Sequence, residues 1–216
     1  FGPPKVVYKE TVAAPGEGIA VYTMPKPCWA ILKFRVEPLP LGSGVQYACI
    51  ASPARLPYRY RRQVEQTIPR ALRQGMLGWE VTDAKFTLIG GEHHPVHTHP
   101  LDFFVATPVA VQQALVNSGT TLLEPMVRVS LSAEEGFLGR VIRDILQMRG
   151  SFDTPLIRHG QFTLEAVLPV ATSLDYPIAF RSMTSGKGTY SSAFFGYQTC
   201  PPELGKTAPR RGVNPL

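Results

Sequence analysis

The chain has 216 residues, of which 44% are hydrophobic and 18% charged, and its net charge is +6. This composition excludes an intrinsically disordered protein, and the length suits one large domain or two small ones. No apolar run is long enough for a transmembrane helix, and no signal-peptide pattern is visible. Three widely spaced cysteines without a C-x-x-C pair argue against a disulfide framework and a cysteine zinc site, and they favour a cytoplasmic protein. Because the chain opens on Phe1, we expect it to be a piece of a longer protein.

The first half is predicted to mix strands with two helices. Alternating, β-branched segments predict strands at residues 5–12, 18–23, 29–36, 45–51 and 79–88. Helical spacing covers residues 58–74, interrupted by Pro69, and residues 102–117, with a kink or restart at Pro108 capped by Thr107. Between the last strand and the second helix lies a histidine-rich loop at residues 90–100.

The second half has a different pattern, and we place a domain boundary near residues 120–124. Strands are predicted at residues 125–131, 152–157, 161–168 and 188–195, and helices after residue 135 and at residues 171–183. Ser132 and Glu135 predict a capping box for the first of these helices, and an apolar stripe follows at Phe137, Val141, Ile145 and Met148. The resulting β-α-β-β-α-β order is the ferredoxin-like pattern. Residues 196–216, rich in Pro and Gly, predict an extended tail.

Six arginines lie between positions 55 and 73, with Glu65 as the only acid among them. The planar guanidinium group suits phosphate, because it donates two hydrogen bonds at once. An ordinary solvated helix face explains the same run, and the charge pattern does not separate the two interpretations.

No nucleotide or catalytic motif is present. The string at residues 185–189 (SGKGT) lacks the upstream glycine and the following helix of a P-loop, so we expect no GTP or ATP bound through it. No Ser-His-Asp or Cys-His arrangement occurs either, and we expect no catalytic residues in this chain.

Four of the five histidines fall in one short segment: His93, His94, His97 and His99. A metal site is one interpretation, although neither the usual four-ligand set nor an H-E-x-x-H motif is visible. An exposed polar loop is the second. The third is a loop whose imidazole and proline rings stack on unpaired RNA bases.

Several segments, in order, resemble elongation factor G. Residues 4–11 (PKVVYKET) resemble the opening of its domain IV, and residues 94–99 (HPVHTH) occupy the place of that family's His-Asp-Val-Asp-Ser-Ser tip loop. Residues 122–125 (LLEP) resemble the junction between domains IV and V. Residues 38–47 (PLPLGSGVQY), 78–83 (GWEVTD) and 209–211 (PRR) are more similar to the tetracycline-resistance ribosomal protection proteins, which have Ser-Pro-Val where this chain has residues 94–96.

The resemblance implies an α+β chain of two domains. Residues 1–121 would form a ribosomal-protein-S5-like β-α-β domain with a left-handed crossover (domain IV). Residues 122–198 would form the ferredoxin-like domain V, and residues 199–216 an extended C-terminal tail.

It also implies binding to the ribosome, at small-subunit rRNA in the decoding site and at the factor-binding region of the large subunit. The tip that displaces tetracycline would be His93, His94, Pro95, Val96 and His97, and a second tip loop would be Ser52, Pro53, Ala54 and Arg55. Candidates for phosphate contacts are Arg59, Arg61 and Arg62. GTP and Mg would belong to an N-terminal GTPase domain outside this chain, which itself would have no metal, membrane or small-molecule substrate. An elongation factor G paralogue with another role in translation is the alternative, and a metal-binding protein using the histidine loop is the alternative of a different class.

Overall fold

A computed structural model of the chain describes residues 5–23 and 28–211. These residues form two compact units. One contains residues 8–123 together with the segment after residue 198, and the other contains residues 124–198 together with the segment before residue 8. No helix among the described residues is both long and apolar enough to cross a membrane.

The unit built on residues 8–123 contains a four-stranded sheet covered by two helices. Its elements are β1 (Lys9–Val12), β2 (Gly16–Thr23), β3 (Trp29–Pro38), β4 (Val45–Cys49), α1 (Tyr58–Ala71), β5 (Glu80–Val81), β6 (Ala84–Glu92), α2 (Pro100–Ser118) and the start of β7 (Thr120–Glu134). The sheet has the order β2-β3-β6-β4, with β4 parallel to β6 and the other pairs antiparallel. A smaller ladder has the order β5-β1-β7.

Alternation along β3 explains how this unit forms its core. Ala30, Leu32, Phe34 and Val36 are fully buried, while the residues between them face away from the helices. Helix α2 approaches β2 so closely that a Cβ at Gly18 would overlap the backbone of Ala110 and Ala114. Glycine is therefore required at this contact.

The prediction of a single strand at residues 79–88 is wrong, because the chain breaks at Asp83 into β5 of the smaller ladder and β6 of the four-stranded sheet. Asp83 has a positive φ of 54°, which a continuing strand does not allow. Its carboxylate accepts the amide of Gly44 at 2.8 Å, and its carbonyl accepts the amide of Leu39 at 2.9 Å. These distant partners hold the chain in a conformation that the alternating sequence does not reveal.

Both predicted helices of this unit form, with different ends. Helix α1 ends at Ala71, three residues early, and Pro69 lies in its last turn without interrupting it. The predicted restart at Pro108 is wrong, because α2 continues from Pro100 to Ser118. Thr107 is not a cap: its hydroxyl donates to the carbonyl of Phe103 at 2.6 Å, one turn back in the same helix.

The other unit has the predicted ferredoxin-like arrangement. Its elements are the rest of β7, α3 (Leu138–Gln147), β8 (Ser151–Phe152), β9 (Leu156–Arg158), β10 (Gln161–Pro169), α4 (Val170–Ser173), α5 (Tyr176–Met183) and β11 (Thr189–Thr199). The sheet has the order β11-β7-β10-β8, with β9 also paired to β10. This order and the β-α-β-β-α-β sequence confirm the expected α+β class.

Three local predictions fail in this unit. Ser132 does not cap a helix, because it lies within β7 opposite Thr163 of β10. A 3₁₀ turn at Glu135–Phe137 follows, and α3 begins at Leu138. The strand predicted at residues 152–157 is two short strands, and the helix predicted at residues 171–183 is α4 followed by α5. The apolar stripe of α3 is confirmed, because Val141 and Ile145 are fully buried.

A buried ion pair stabilises this second unit. Glu124 is 1% exposed, and both its carboxylate oxygens accept from the guanidinium group of Arg149, at 2.8 and 2.7 Å. The side-chain amide of Gln198 donates to the same carboxylate at 3.1 Å. Burial alone would raise the pKa of Glu124, but hydrogen bonds from Arg149 and Gln198 outweigh it and the pKa lies below its usual value.

The C-terminal segment, residues 200–211, lies against the loop before β5 in the first unit. The amide of Ala208 donates to the carbonyl of Leu77 at 2.8 Å, and the indole of Trp79 donates to the carbonyl of Lys206 at 2.5 Å. Gln74 donates to the carbonyl of Pro209 at 3.2 Å. The segment is extended apart from a 3₁₀ turn at Pro202–Leu204.

Candidate nucleic-acid interface

The tip loop, residues 93–99, connects the end of β6 to the start of α2. Asp102, in the first turn of α2, holds its base: one carboxylate oxygen accepts the amide of His99 at 2.8 Å and the amide of Trp29 at 3.1 Å. An acidic residue is favourable here, because the first turn of a helix presents unpaired amides and a positive dipole end.

Thr98 joins the tip loop to the neighbouring strand. Its buried hydroxyl donates to the carbonyl of Trp29 at 2.7 Å and accepts from the amide of His94 at 2.7 Å. The amide of Thr98 donates in turn to the carbonyl of His94 at 3.2 Å. The loop is thus closed on itself and fixed to the start of β3.

His94 shapes the outer part of the loop. Its Nδ1 accepts the amides of Val96 at 3.2 Å and His97 at 3.3 Å. Its ring stacks on that of His97, with centroids 4.5 Å apart. This turn directs Pro95 and Val96 outward, and Val96 is 73% exposed.

The second tip loop, residues 52–55, lies beside the first. The ring nitrogen Nδ1 of His93 is 2.7 Å from the carbonyl oxygen of Arg55, and the guanidinium group of Arg55 is 3.4 Å from the carboxylate of Glu92. Leu56, immediately after this loop, is fully buried, and a Cβ at Gly91 would lie 2.8 Å from its side chain. The two predicted tip loops therefore form one exposed surface.

Tyr60 of helix α1 supports this surface from below. Its ring centroid lies 5.4 Å from that of His93 and 4.8 Å from that of Phe103. The guanidinium group of Arg59 lies 4.5 Å from the same ring and donates to the tyrosine hydroxyl at 2.7 Å. Arg59 is therefore held at the edge of the tip.

The three arginines proposed for phosphate contact have different environments. Arg59 and Arg62 are exposed, whereas Arg61 is partly buried and its Nε makes no hydrogen bond within the described part of the chain. Arg61 is close enough to Tyr47 to favour the ionised phenol, but burial of Tyr47 and its neighbour Cys49 raise the pKa of that hydroxyl overall. The structure therefore separates Arg61 from the other two.

The histidines do not form a metal site in the described residues. Across residues 5–23 and 28–211, no group of three or more His, Cys, Asp and Glu side chains is arranged to hold a metal ion. The Nδ1 atoms of His93 and His94 face backbone groups of the tip instead.

Sequence reasoning missed three residues that position the tip: Trp29, Thr98 and Asp102. A signal for Asp102 was available, because a proline at the first helical position with an acid two residues later is typical of a helix start. Trp29 lies 73 positions from Asp102, so no local pattern connects the two.

Both units are similar to parts of known proteins. Residues 4–119 match the family sequence model for elongation factor G, domain IV, and residues 121–208 match the one for the elongation factor G C-terminus. The tetracycline resistance protein TetP of Clostridium perfringens is 32% identical over 215 residues, which is 98% of this chain. The tetracycline resistance protein TetO of Campylobacter jejuni is 31% identical over 211 residues, or 96% of this chain.

Each of these alignments covers 33% of the relative, so the chain spans about a third of the length of the curated relatives it matches. A crystal structure from Thermus thermophilus has a TM-score of 0.86 and 27% sequence identity. That alignment covers 94% of this chain and 31% of the other.

Proposed function

This chain belongs to the elongation factor G family, and we propose that it is the ribosome-contacting, C-terminal part of a translational GTPase that protects the ribosome from tetracycline. The two named relatives are tetracycline resistance proteins and align with nearly the whole chain. On this proposal, domain IV carries its tip into the decoding site of the small subunit, and the C-terminal domain meets the factor-binding region of the large subunit.

The observation that carries the proposal is the exposed Pro95-Val96 pair at the end of a braced loop. A proline ring and a branched side chain offer compact apolar surface that can pack against the face of an unpaired base, as side chains do at single-stranded RNA sites. The bracing by His94, Thr98 and Asp102 fixes the loop before it meets RNA, so little conformational entropy is lost on binding.

Tetracycline is displaced if the tip loop and the drug compete for the same surface of small-subunit rRNA. Pro95 and Val96 would stack where tetracycline binds, and the second tip loop (Ser52, Pro53, Ala54 and Arg55) would contact the adjoining backbone. GTP and Mg would be held by a GTPase domain in the remaining part of the protein, where hydrolysis releases the factor.

Chemical footprinting of small-subunit rRNA tests the placement of the tip. We expect the full-length protein, bound to ribosomes with a non-hydrolysable GTP analogue, to protect bases in the decoding region. Pro95→Ala combined with Val96→Gly should remove that protection, whereas His159→Ala, in an exposed turn of the other unit, should not. Protection that persists unchanged in the tip variant would contradict the proposal, and an elongation factor G paralogue with another role would then be the better account.

A further inference from the structure

One face of helix α1 carries a row of exposed arginines. At 3.6 residues per turn, Arg59, Arg62 and Arg70 lie within an arc of about 80°. The buried side of the helix, formed by Tyr60, Val64, Ile68 and Ala71, points the other way. We call Arg59, Arg62 and Arg70 the arginine stripe.

The two ends of the stripe are held by aromatic rings. The guanidinium group of Arg59 lies 4.5 Å from the centroid of Tyr60, and that of Arg70 lies 4.4 Å from the centroid of Phe104. Arg70 follows Arg59 by eleven positions, so the two are about 16 Å apart along the helix axis and point in nearly the same direction. Stacking on a ring orients a guanidinium group while leaving N–H donors at its edge for another partner.

No carboxylate neutralises the stripe within residues 5–23 and 28–211. The ion pairs of that part of the chain involve other cations, and Arg55 is the one arginine near α1 that takes part in one. Glu65 is exposed on the same helix but forms no ion pair there. The stripe therefore presents positive charge without a carboxylate partner, and packing against aromatic rings restricts the orientations of Arg59 and Arg70.

We propose that the arginine stripe binds the sugar-phosphate backbone of an RNA strand that runs from the tip loop along α1. This inference rests on the proposed function, because it takes ribosomal RNA as the partner. RNA is favoured over an acidic protein because the stripe continues the tip: Tyr60 stacks with Arg59 and also lies against His93. A guanidinium group can donate two parallel hydrogen bonds to one phosphate. A row of arginines along a helix can make this contact with successive phosphates of one strand.

Arg61 is excluded from this surface, although the sequence grouped it with Arg59 and Arg62. It points about 200° around the helix from Arg59, and it is partly buried. The proposal therefore takes Arg70 in place of Arg61 as a phosphate contact.

Salt-dependent RNA binding tests the stripe. The 216-residue chain would be titrated into a fluorescein-labelled single-stranded RNA, and Kd measured by anisotropy from about 20 to about 200 mM KCl. The variant Arg62→Gln/Arg70→Gln is compared with Arg140→Gln/Arg143→Gln, which removes the same charge from the exposed face of α3 in the other unit. Circular dichroism confirms that both variants are folded.

We expect the stripe variant to reduce the slope of log Kd against log salt by about 1.4, which corresponds to two lost phosphate contacts of about 0.7 each. Near about 100 mM salt its affinity should fall by at least about tenfold, and the α3 variant should stay close to the wild type. Equal slopes for the two variants, or no binding even at the lowest salt concentration, would overturn the inference.

The experiments distinguish an error in the inference about the arginine stripe from an error in the proposed function. Footprints or drug release that do not depend on Pro95 would show that the tip mechanism is wrong. If the stripe variant still shows a smaller slope of log Kd against log salt, α1 nevertheless binds RNA. If tip variants act as expected and the stripe variant behaves like its control, this inference alone is wrong.

Discussion

The same Glu→Gln substitution should destabilise the fold at one buried glutamate and not at another. Glu124 is 1% exposed and paired with Arg149, while Glu10 is 0% exposed and has no cationic partner within the described residues. Oε1 of Glu10 accepts the amides of Leu77 and Trp79, at 2.9 and 2.8 Å, but its Oε2 is buried without a hydrogen bond. Arg149 therefore compensates the buried charge of Glu124, whereas two amides compensate that of Glu10 only in part.

The expected loss for Glu124→Gln is about 3 kcal/mol of unfolding free energy. Removing one partner of a buried ion pair costs about 3–5 kcal/mol, because the other charge is left uncompensated. We take the lower end, because the side chain of Arg149 is 29% exposed and retains some hydration. A glutamine also keeps one oxygen that accepts from Arg149.

The pH dependence of Glu124 has a defined sign. Its pKa is lower in the folded chain than in the unfolded one, so its contribution is present above the unfolded pKa. The contribution is lost as the pH falls through the lowered, folded pKa.

The contribution of Glu10 to stability depends on pH in the opposite sense. Burial raises its pKa above the usual value, although the amides of Leu77 and Trp79 counteract this. A group whose pKa is raised in the folded state contributes stability at low pH that is lost as the pH rises through that folded pKa. Glu10→Gln removes the buried charge and keeps an acceptor for both amides, so near pH 7 it should be neutral or stabilising.

Hydrogen exchange followed by mass spectrometry measures both variants, because it reports each unit separately. Glu124→Gln should speed exchange in β7, β10 and β11 by on the order of a hundredfold, as a loss of about 3 kcal/mol implies. Glu10→Gln should leave exchange around Leu77 and Trp79 unchanged or slower at pH 7. Destabilisation by Glu10→Gln, equal to that caused by Glu124→Gln, would refute the argument that desolvation dominates at Glu10.

Two further predictions concern the tip and the C-terminal segment. His94→Ala should speed amide exchange at Val96 about tenfold, because the Nδ1 acceptor is lost. His94→Asn should not, because the asparagine side-chain oxygen accepts in the same place. Equal exchange rates in the two variants would contradict this role of His94. Gly78→Ala should release the C-terminal segment and speed tryptic cleavage at its basic residues, because a Cβ there would overlap the carbonyl of Ala208. Gly186→Ala is the matched control, with a similar positive φ but open space around it, and faster cleavage in both variants would assign the effect to backbone strain alone.

Periodicity in the sequence was enough to predict most strands, both long helices and the ferredoxin-like order. It failed where a distant partner decides the local conformation. Residues 79–88 alternate like one strand, and the break at Asp83 depends on Gly44, which lies 39 positions away. Residues 132–135 read as a capping box, but pairing between β7 and β10 keeps Ser132 in a strand.

The candidate site was predictable only in part. The positions of the two tip loops came from resemblance to a family, and their adjacency depends on tertiary contacts such as that between His93 and Arg55. The arginine run was visible, but which side chains face outward depends on the direction of α1. The contact of Arg70 with Phe104 depends on how α1 packs against α2, which no spacing within α1 reveals.

Drug release from tetracycline-loaded ribosomes tests the central proposal most directly. Release would be followed with the full-length protein and GTP, comparing the native tip with Pro95→Ala and with His159→Ala as the exposed control. We predict release by the native protein and the control, and its loss in Pro95→Ala. A native protein that hydrolyses GTP on ribosomes but leaves the drug bound would contradict the account.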